Sequence, residues 1–325
     1  MAFDGSAFNA IAGADYNATS ETVLEAFLKP SLKKLRDDTN KLSAFITEYT
    51  NDLASFFATL EQLIEATRNN PAIYRLFVIQ DLAATLYPLV IRLQLLGCLT
   101  QANMTHDARS LLELIGMVDL RVFKLRGTNP QADIAWITYD LPRLTIDEVG
   151  TRLRHFSQKF MPDALMLSRL IDEDLYRNPG LPIMLLEAEE SARSEVRDTQ
   201  LDLSELVNLN AAGLTVEHIL PQEPSFNIVN YGFTNGDEYQ EHAHRIGNLI
   251  LLEAHINSRS TNRPVEDKML KSDLYPESNL TSVMELRAKY AAPPKFDRDA
   301  ITSRSKALAE IIVRRWPIIT AKGAA

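Results

Sequence analysis

Glu217 and His218 stand side by side near the end of an apolar run, Leu214 to Leu220, that Pro221 closes. Two carboxamides and an ammonium follow them. Asn248 opens a second apolar run that ends at Leu252, and Asn257 and Lys268 come after it. Together these side chains are a compact set of oxygen and nitrogen ligands, and the two runs read as short buried strands. Side chains alternate faces along a strand, so Glu217 and His218 point to opposite sides unless the strand ends there. Between the runs, Pro221, Pro224, Gly232, Gly236 and several asparagines predict a long loop, of the kind that is usually functional or disordered. Pro264, preceded by Thr261 and Asn262, predicts a helix start, with Val265 to Leu270 as its first turns. The order is strand, loop, strand, helix.

Glu217-His218, Asn248 in the RIGNL segment, and Asn257 with Lys268 after it resemble the HNH, or His-Me finger, nuclease motif. More narrowly, the strings EHILPQ, RIGNLILLE and INSRSTN, followed by Lys268, are similar to the C-terminal nuclease domain of GmrSD-type modification-dependent restriction endonucleases, a group that includes the phosphorothioate-sensing SspE proteins. The resemblance covers roughly Leu203 to Tyr290. It implies a ββα-metal module that hydrolyses DNA phosphodiesters, nicking once per site, in defence against phage DNA.

Such chemistry needs a deprotonated water and stabilisation of the charge that builds on phosphate. An imidazole titrates near neutrality and takes the water's proton, so His218 is the expected general base. The resemblance gives Glu217 and Asn257 to one divalent cation. Asn248 braces the loop through side-chain hydrogen bonds, as asparagine readily does. Lys268 is the expected contact to a non-bridging phosphate oxygen, with Arg259, Asn262 and Arg263 as further phosphate candidates. Glu217 stands where many HNH enzymes carry Asp, and Asn257 replaces a histidine, so Mg²⁺ or Mn²⁺ is favoured over Zn²⁺. His242, His244 and His255 lie nearby, and any of them would add a nitrogen ligand. For His242 and His244 a solvated or loop-fixing role is the simpler reading, and for His255 a packing or supporting one.

The rest of the chain must position these groups. Its 325 residues are enough for two domains, and 46% apolar residues fill real cores;. Only 12 glycines and 24% charged residues predict a mainly α protein;. A formal charge of −9 is unusual for a nucleic-acid binder, so any DNA surface must be local;. No run of apolar residues is long enough to span a membrane and no signal peptide opens the chain, which makes the cytoplasm the expected location. The single cysteine, Cys98, reads as a small buried hydrophobe;.

Residues 1–20 read as a ragged start. Helical periodicity then runs through Leu24, Phe27, Leu32, Leu35, Leu42, Phe45 and Ile46 towards Ala66;. From Pro71 the chain predicts a central buried helix, and Thr105 to Arg126 a further one. Two more cover Ile146 to Phe160 and Asp163 to Asp174, and Leu181 to Glu190 is the last of the bundle. His106 and His155 read as structural helix residues, and Arg121, Arg126, Arg152 and Arg154 as candidates to line a DNA channel. Residues 1–200 hold no phosphate loop, CxxC, GxSxG or dinucleotide turn. The expected organisation is therefore an N-terminal helical bundle, 1–200, acting as scaffold, then the HNH module with flanking helices, 201–325. Beyond it, Pro293-Pro294 is a break and Asp299 to Trp316 a terminal helix. Arg298, Arg304, Lys306, Arg314 and Arg315 make this tail the best further phosphate-contacting stretch. In fused relatives a nucleotide-hydrolysing, modification-sensing domain precedes such a region. This chain is expected to be a C-terminal piece or a separately encoded nuclease subunit that works with such a partner. The alternatives are a helical interaction module of a defence complex whose HNH remnant no longer cuts, and an RNA-cleaving toxin.

Overall fold

The computed structural model describes residues 28–100, 103–197, 201–292, 295–316 and 318. The expected ragged start, Leu24, Phe27 and the Pro293-Pro294 break lie outside the described residues. The chain divides into two compact units, Met1–Phe160 with Thr320–Ala325, and Met161–Ile319. The motif residues all lie in the second of these units. The described residues are mainly helical, with one two-stranded sheet.

In the first unit, α1 (Lys29–Leu35) and α2 (Thr39–Ala66) are separated by Asp38, whose carboxylate caps α2 through Lys41 N at 3.1 Å;. The apolar stretch from Pro71 is not one helix. It forms α3 (Pro71–Tyr74), a π-helical turn over Arg75–Ile79, a break at Asp81 with φ of 50°, and α4 (Tyr87–Leu95). A buried carboxylate accompanies this break: Asp119 accepts from Gln80 Nε2 at 2.9 Å, Ala83 N at 3.0 Å and Lys124 Nζ at 2.9 Å. The Gln80 amide and the Ala83 N–H thus bond to Asp119 on either side of the break, while the Gln80 N–H still closes the π-helical turn on Arg75 O.

The predicted helix from Thr105 starts later. Ser110 and Glu113 form a capping box for α5 (Leu111–Val118), which runs into a π-helical segment, Asp119–Leu125;. α6 (Gln131–Asp140) and α7 (Ile146–Phe160) complete the unit, α7 packing on α5. His106 sits in the turn before α5 and not in a helix, exposed beside Asp147. Arg121 is wholly buried, and Arg154 is buried against Asp107 with bonds of 2.6 and 2.7 Å, so these two do not line an open channel. Cys98 is half-buried rather than buried.

The second unit opens with α8 (Asp163–Asp172), α9 (Leu181–Arg197) and α10 (Leu203–Ala211). An antiparallel hairpin follows, β1 (Leu214–His218) with β2 (Leu249–Glu253), in the register Val216 to Leu251 and His218 to Leu249. The connection between them carries α11 (Gly236–Ala243) and two 3₁₀ turns, so it is more ordered than a bare loop. After β2 come α12 (Ala254–Ser260), α13 (Val265–Leu270), α14 (Thr281–Tyr290) and α15 (Arg298–Arg315). The sequence reading missed α12 as a separate element, because a helix this short signals itself only by buried Ile256 and Ser260; it stops at Thr261, whose φ is 39°.

β2 is buried along its whole length and is covered by α9, α12 and α14. Carboxylates lock that cover. Glu189 of α9 accepts from Thr281 N and Ser282 N at 2.9 and 2.8 Å, capping α14, and Glu253 at the end of β2 accepts from Ser278 Oγ at 2.8 Å and Asn279 N at 3.0 Å;.

Candidate active site

β1 ends on Glu217 and His218, and strand alternation sends them to different partners. Both are buried, at 5% and 6% exposure. Glu217 meets α13: Lys268 Nζ is 2.5 Å from Glu217 Oε1 and also donates to His218 O at 2.6 Å. Lys268 gets there because Val265, Lys268 and Met269 are the buried face of α13, the i, i+3, i+4 spacing of an inward-turned helix side;. Burial pushes the Glu217 carboxyl up and the Lys268 ammonium down, and each partly offsets the shift of the other;. Tyr275 is also buried, its hydroxyl has no hydrogen-bond partner among the described residues, and burial with the Glu217 charge pushes its phenol up.

His218 turns towards other segments. Its Nε2 lies 3.3 Å from Nδ1 of His244, just after α11, and the Gln222 amide nitrogen lies 3.2 Å from its Nδ1 and 3.3 Å from its Nε2. The Tyr176 ring stands edge-on to His218 with centroids 4.3 Å apart and stacks on His244 at 5.3 Å. Burial first, then the repulsion that a protonated His218 would meet from His244 and Lys268, holds the imidazole down at about 3, so near pH 7 it is neutral but a weaker base than the near-neutral imidazole expected from the sequence;.

Asn248 fixes the turn beside it. Wholly buried, its amide donates to Leu220 O and Ala243 O, each at 2.9 Å, and its Oδ1 accepts from Leu220 N at 2.8 Å. One side chain thereby joins the end of β1, the end of α11 and the start of β2. The preceding Gly247 lies so close to α15 that a Cβ there would be 2.0 Å from Ile301 O and 2.8 Å from Ser305 N, while its own N–H donates to Ser305 Oγ at 3.0 Å. Arg304 donates to Gly247 O at 2.8 Å and Leu249 O at 2.7 Å, and burial lowers its guanidinium to about 10.

Three of the five residues of the expected basic tail are therefore tied up in intramolecular bonds. Arg304 holds carbonyls, Arg298 bonds Glu238 at 3.0 Å, and Arg315 bonds Glu187 at 3.1 Å; Lys306 and Arg314 stay exposed.

Asn257, on α12, donates to Thr215 Oγ1 at 2.8 Å and Val216 O at 3.3 Å, which ties the helix to β1. Arg259 pairs with Glu277 at 2.6 Å, and His255 lies 3.2 Å from the same carboxylate; the Arg259 bond is the main cause of a lowered Glu277. Arg263 donates to Arg259 O at 2.9 Å, and Asn262 is exposed in the turn between α12 and α13. His242 is a buried helix residue, not a loop one, with Nδ1 at 2.8 Å from Glu238 O and Nε2 at 3.1 Å from Arg245 Nη1.

The residues expected to hold a divalent cation do not fit one as placed. An internal ammonium sits against Glu217, and a cation there would have to displace it. Among the described residues no group of three or more His, Cys, Asp or Glu converges on a point that a metal ion could occupy. What the structure does gather is Tyr176, His218, Gln222 and His244. Sequence reading gave neither Tyr176 nor Gln222 a role: Gln222 closes the EHILPQ string four residues after His218, whereas nothing near Tyr176 marks it and only the path of the chain brings it to His218.

A pH effect follows from the first turn of α11. Glu238 accepts from Thr234 N and Thr234 Oγ1, each at 2.7 Å, and these bonds, with Arg298, hold its carboxyl at about 2. A folded-state value below the ordinary 4.5 means that the contribution is complete above 4.5 and is lost as pH falls towards 2;. Glu238→Gln is expected to be less stable than the wild type at pH 7, with the difference vanishing near pH 2. Urea unfolding across that range checks it, and a gap that persists at pH 2 would contradict the assignment.

No helix among the described residues is long and apolar enough to cross a membrane. Neither the comparison with curated proteins nor that with solved structures returns a match. Residues 163–311, which hold β1, β2 and every residue gathered around His218, match the family model described as GmrSD restriction endonucleases, C-terminal domain, so over this stretch the chain is similar to the C-terminal domain of the GmrSD restriction endonucleases.

Proposed function

We propose that the Met161–Ile319 unit hydrolyses DNA phosphodiester bonds, one strand at a time, as the cutting part of a modification-dependent restriction system in the cytoplasm. The observation that carries this reading is the match of residues 163–311 to a restriction endonuclease domain, in which His218 stands at the end of β1 beside a turn fixed by Asn248. In this reading β1, β2 and α12 form the ββα element. A water bound at His218 gives up its proton to the imidazole and attacks phosphorus as the bond to the leaving oxygen breaks. Asn248 keeps the turn in place. Lys268 and Glu217 serve architecture, and no step passes through a cation. Arg263 and Asn262, near the α12–α13 turn, are the remaining candidates for phosphate. Recognition of modified DNA belongs to a nucleotide-hydrolysing partner domain.

A second reading is favoured by one observation. The Lys268 ammonium fills the place against Glu217 that a cation would take, which suits a module that now binds partners without cutting.

Relaxation of supercoiled plasmid by the purified wild type and His218→Ala, with Mg²⁺, Mn²⁺, Zn²⁺ or EDTA, separates the two. Loss of a general base costs on the order of 10²-fold or more in rate. The nuclease reading expects such a loss with an unchanged melting curve. Equal cutting by both proteins would sink the role of His218, and no cutting by the wild type under any condition supports the second reading.

A further inference from the structure

We infer that His244 is a positioning residue for His218: its Nδ1 accepts the His218 Nε2–H, fixes the tautomer, and leaves the lone pair on His218 Nδ1 for the water. This rests on the proposed nuclease reading, with His218 as base.

The inference follows from counting protons. The two imidazoles face each other through His218 Nε2 and His244 Nδ1, 3.3 Å apart, and only one hydrogen fits between them;. If His244 donated it, the lone pair of neutral His218 would lie at Nε2, spent on His244, and the ring would have none to offer. If His218 donates it, the lone pair lies at Nδ1. The Gln222 amide nitrogen lies in front of both ring nitrogens, 3.2 Å from Nδ1 and 3.3 Å from Nε2, and this half-buried side chain has to move aside for a water to reach Nδ1. Only the second arrangement gives a working base.

His244 is itself held for that task. Its backbone oxygen accepts from Leu175 N at 3.1 Å, and the ring of the next residue, Tyr176, stacks on the His244 imidazole with an interplanar angle of 23°. The same Tyr176 ring packs edge-on against His218, so both imidazoles are oriented by one aromatic plane. On the other side, the Ala243 carbonyl is bound by Asn248 at 2.9 Å, which fixes the backbone one residue before His244. Orientation of a catalytic imidazole by an acceptor on its far nitrogen is the logic by which other histidine bases are kept in the productive tautomer.

Two substitutions separate positioning from packing. His244→Phe keeps a ring to stack on Tyr176 and removes the acceptor; His244→Asn removes the ring and supplies an acceptor oxygen. On plasmid DNA, His244→Phe should lower kcat on the order of 10²-fold with KM unchanged, and His244→Asn should recover part of the loss. In parallel, ¹⁵N–¹H spectra of histidine-labelled full-length protein read the tautomer directly. The wild type should show His218 protonated at Nε2, and His244→Phe should shift it towards a mixture. An unchanged tautomer and unchanged kcat in His244→Phe overturn the inference, as does a wild-type His218 protonated at Nδ1. If the wild type cuts nothing, the nuclease reading fails by itself, and the spectra still decide whether His244 sets the tautomer.

Discussion

Lys268→Met is expected to destabilise the Met161–Ile319 unit by about 3–5 kcal/mol, the range found when one member of a buried ion pair is removed. The variant leaves the Glu217 carboxylate in the interior with 5% exposure and no countercharge, and it strips a donor from His218 O. Glu217→Gln alone should be costly for the mirror reason, an ammonium without its partner. Combining Glu217→Gln with Lys268→Met removes both charges, and the double variant should be more stable than the sum of the singles allows, by well over 1 kcal/mol. Lys268→Met should also regain stability on acidification. Its Glu217 carboxyl, raised by burial and no longer held down by Lys268, takes up a proton in the folded state before the unfolded chain does;. Urea unfolding of the four proteins at pH 5 and pH 7 tests this. Strictly additive losses would show that the two groups are not energetically coupled and that Lys268 is not the countercharge of Glu217.

Asn248→Ala should cost about 3–9 kcal/mol. Leu220 N, Leu220 O and Ala243 O lose their partner together, and each polar group left unsatisfied in a buried place costs about 1–3 kcal/mol;. Asn248→Asp discriminates further. It keeps an acceptor for Leu220 N but turns a second oxygen towards two carbonyls, so it should be no better than alanine despite near-identical shape. At about 2–4 °C per kcal/mol, either variant should melt at least 6 °C below the wild type. A drop under 2 °C would mean that water replaces the amide and that the turn does not depend on it.

The two variants probe different kinds of knowledge. The strands were legible: apolar runs closed by Pro221 and opened by Asn248 gave β1 and β2 nearly to the residue, and strand alternation already set Glu217 and His218 apart;. The burial of Lys268 had a signal too, a lysine at helical spacing between Val265 and Met269, but a cation next to a phosphate-chemistry motif reads more readily as a phosphate contact. Arg304 has a similar history. It lies beside the buried stripe of Ile301, Ser305, Leu308 and Ile312, and the charge of its neighbours disguised it as part of a solvated basic face. The grouping of Tyr176 and His244 with His218 had no local signal. It depends on α11 returning His244 to the end of β1 and on the segment between α8 and α9 bringing Tyr176 there, and periodicity within one element carries no information about such returns. The late start of α5 was legible in Ser110 and Glu113, whose spacing is that of a capping box, and the break after Ile79 was not, because it is coupled to a carboxylate in a distant segment.

The clasp between α15 and the Ile246–Asn248 turn has a consequence in time. Gly247 and Ser305 are 58 residues apart, and at about 5–20 residues per second a ribosome needs roughly 3–12 s to make that interval;. Throughout it, β1 and β2 exist without the serine hydroxyl and the guanidinium that close over the turn between α11 and β2. A nascent chain stalled there presents its hairpin to quality-control proteases with the turn unclasped, so the histidine face is completed only as synthesis passes Ser305.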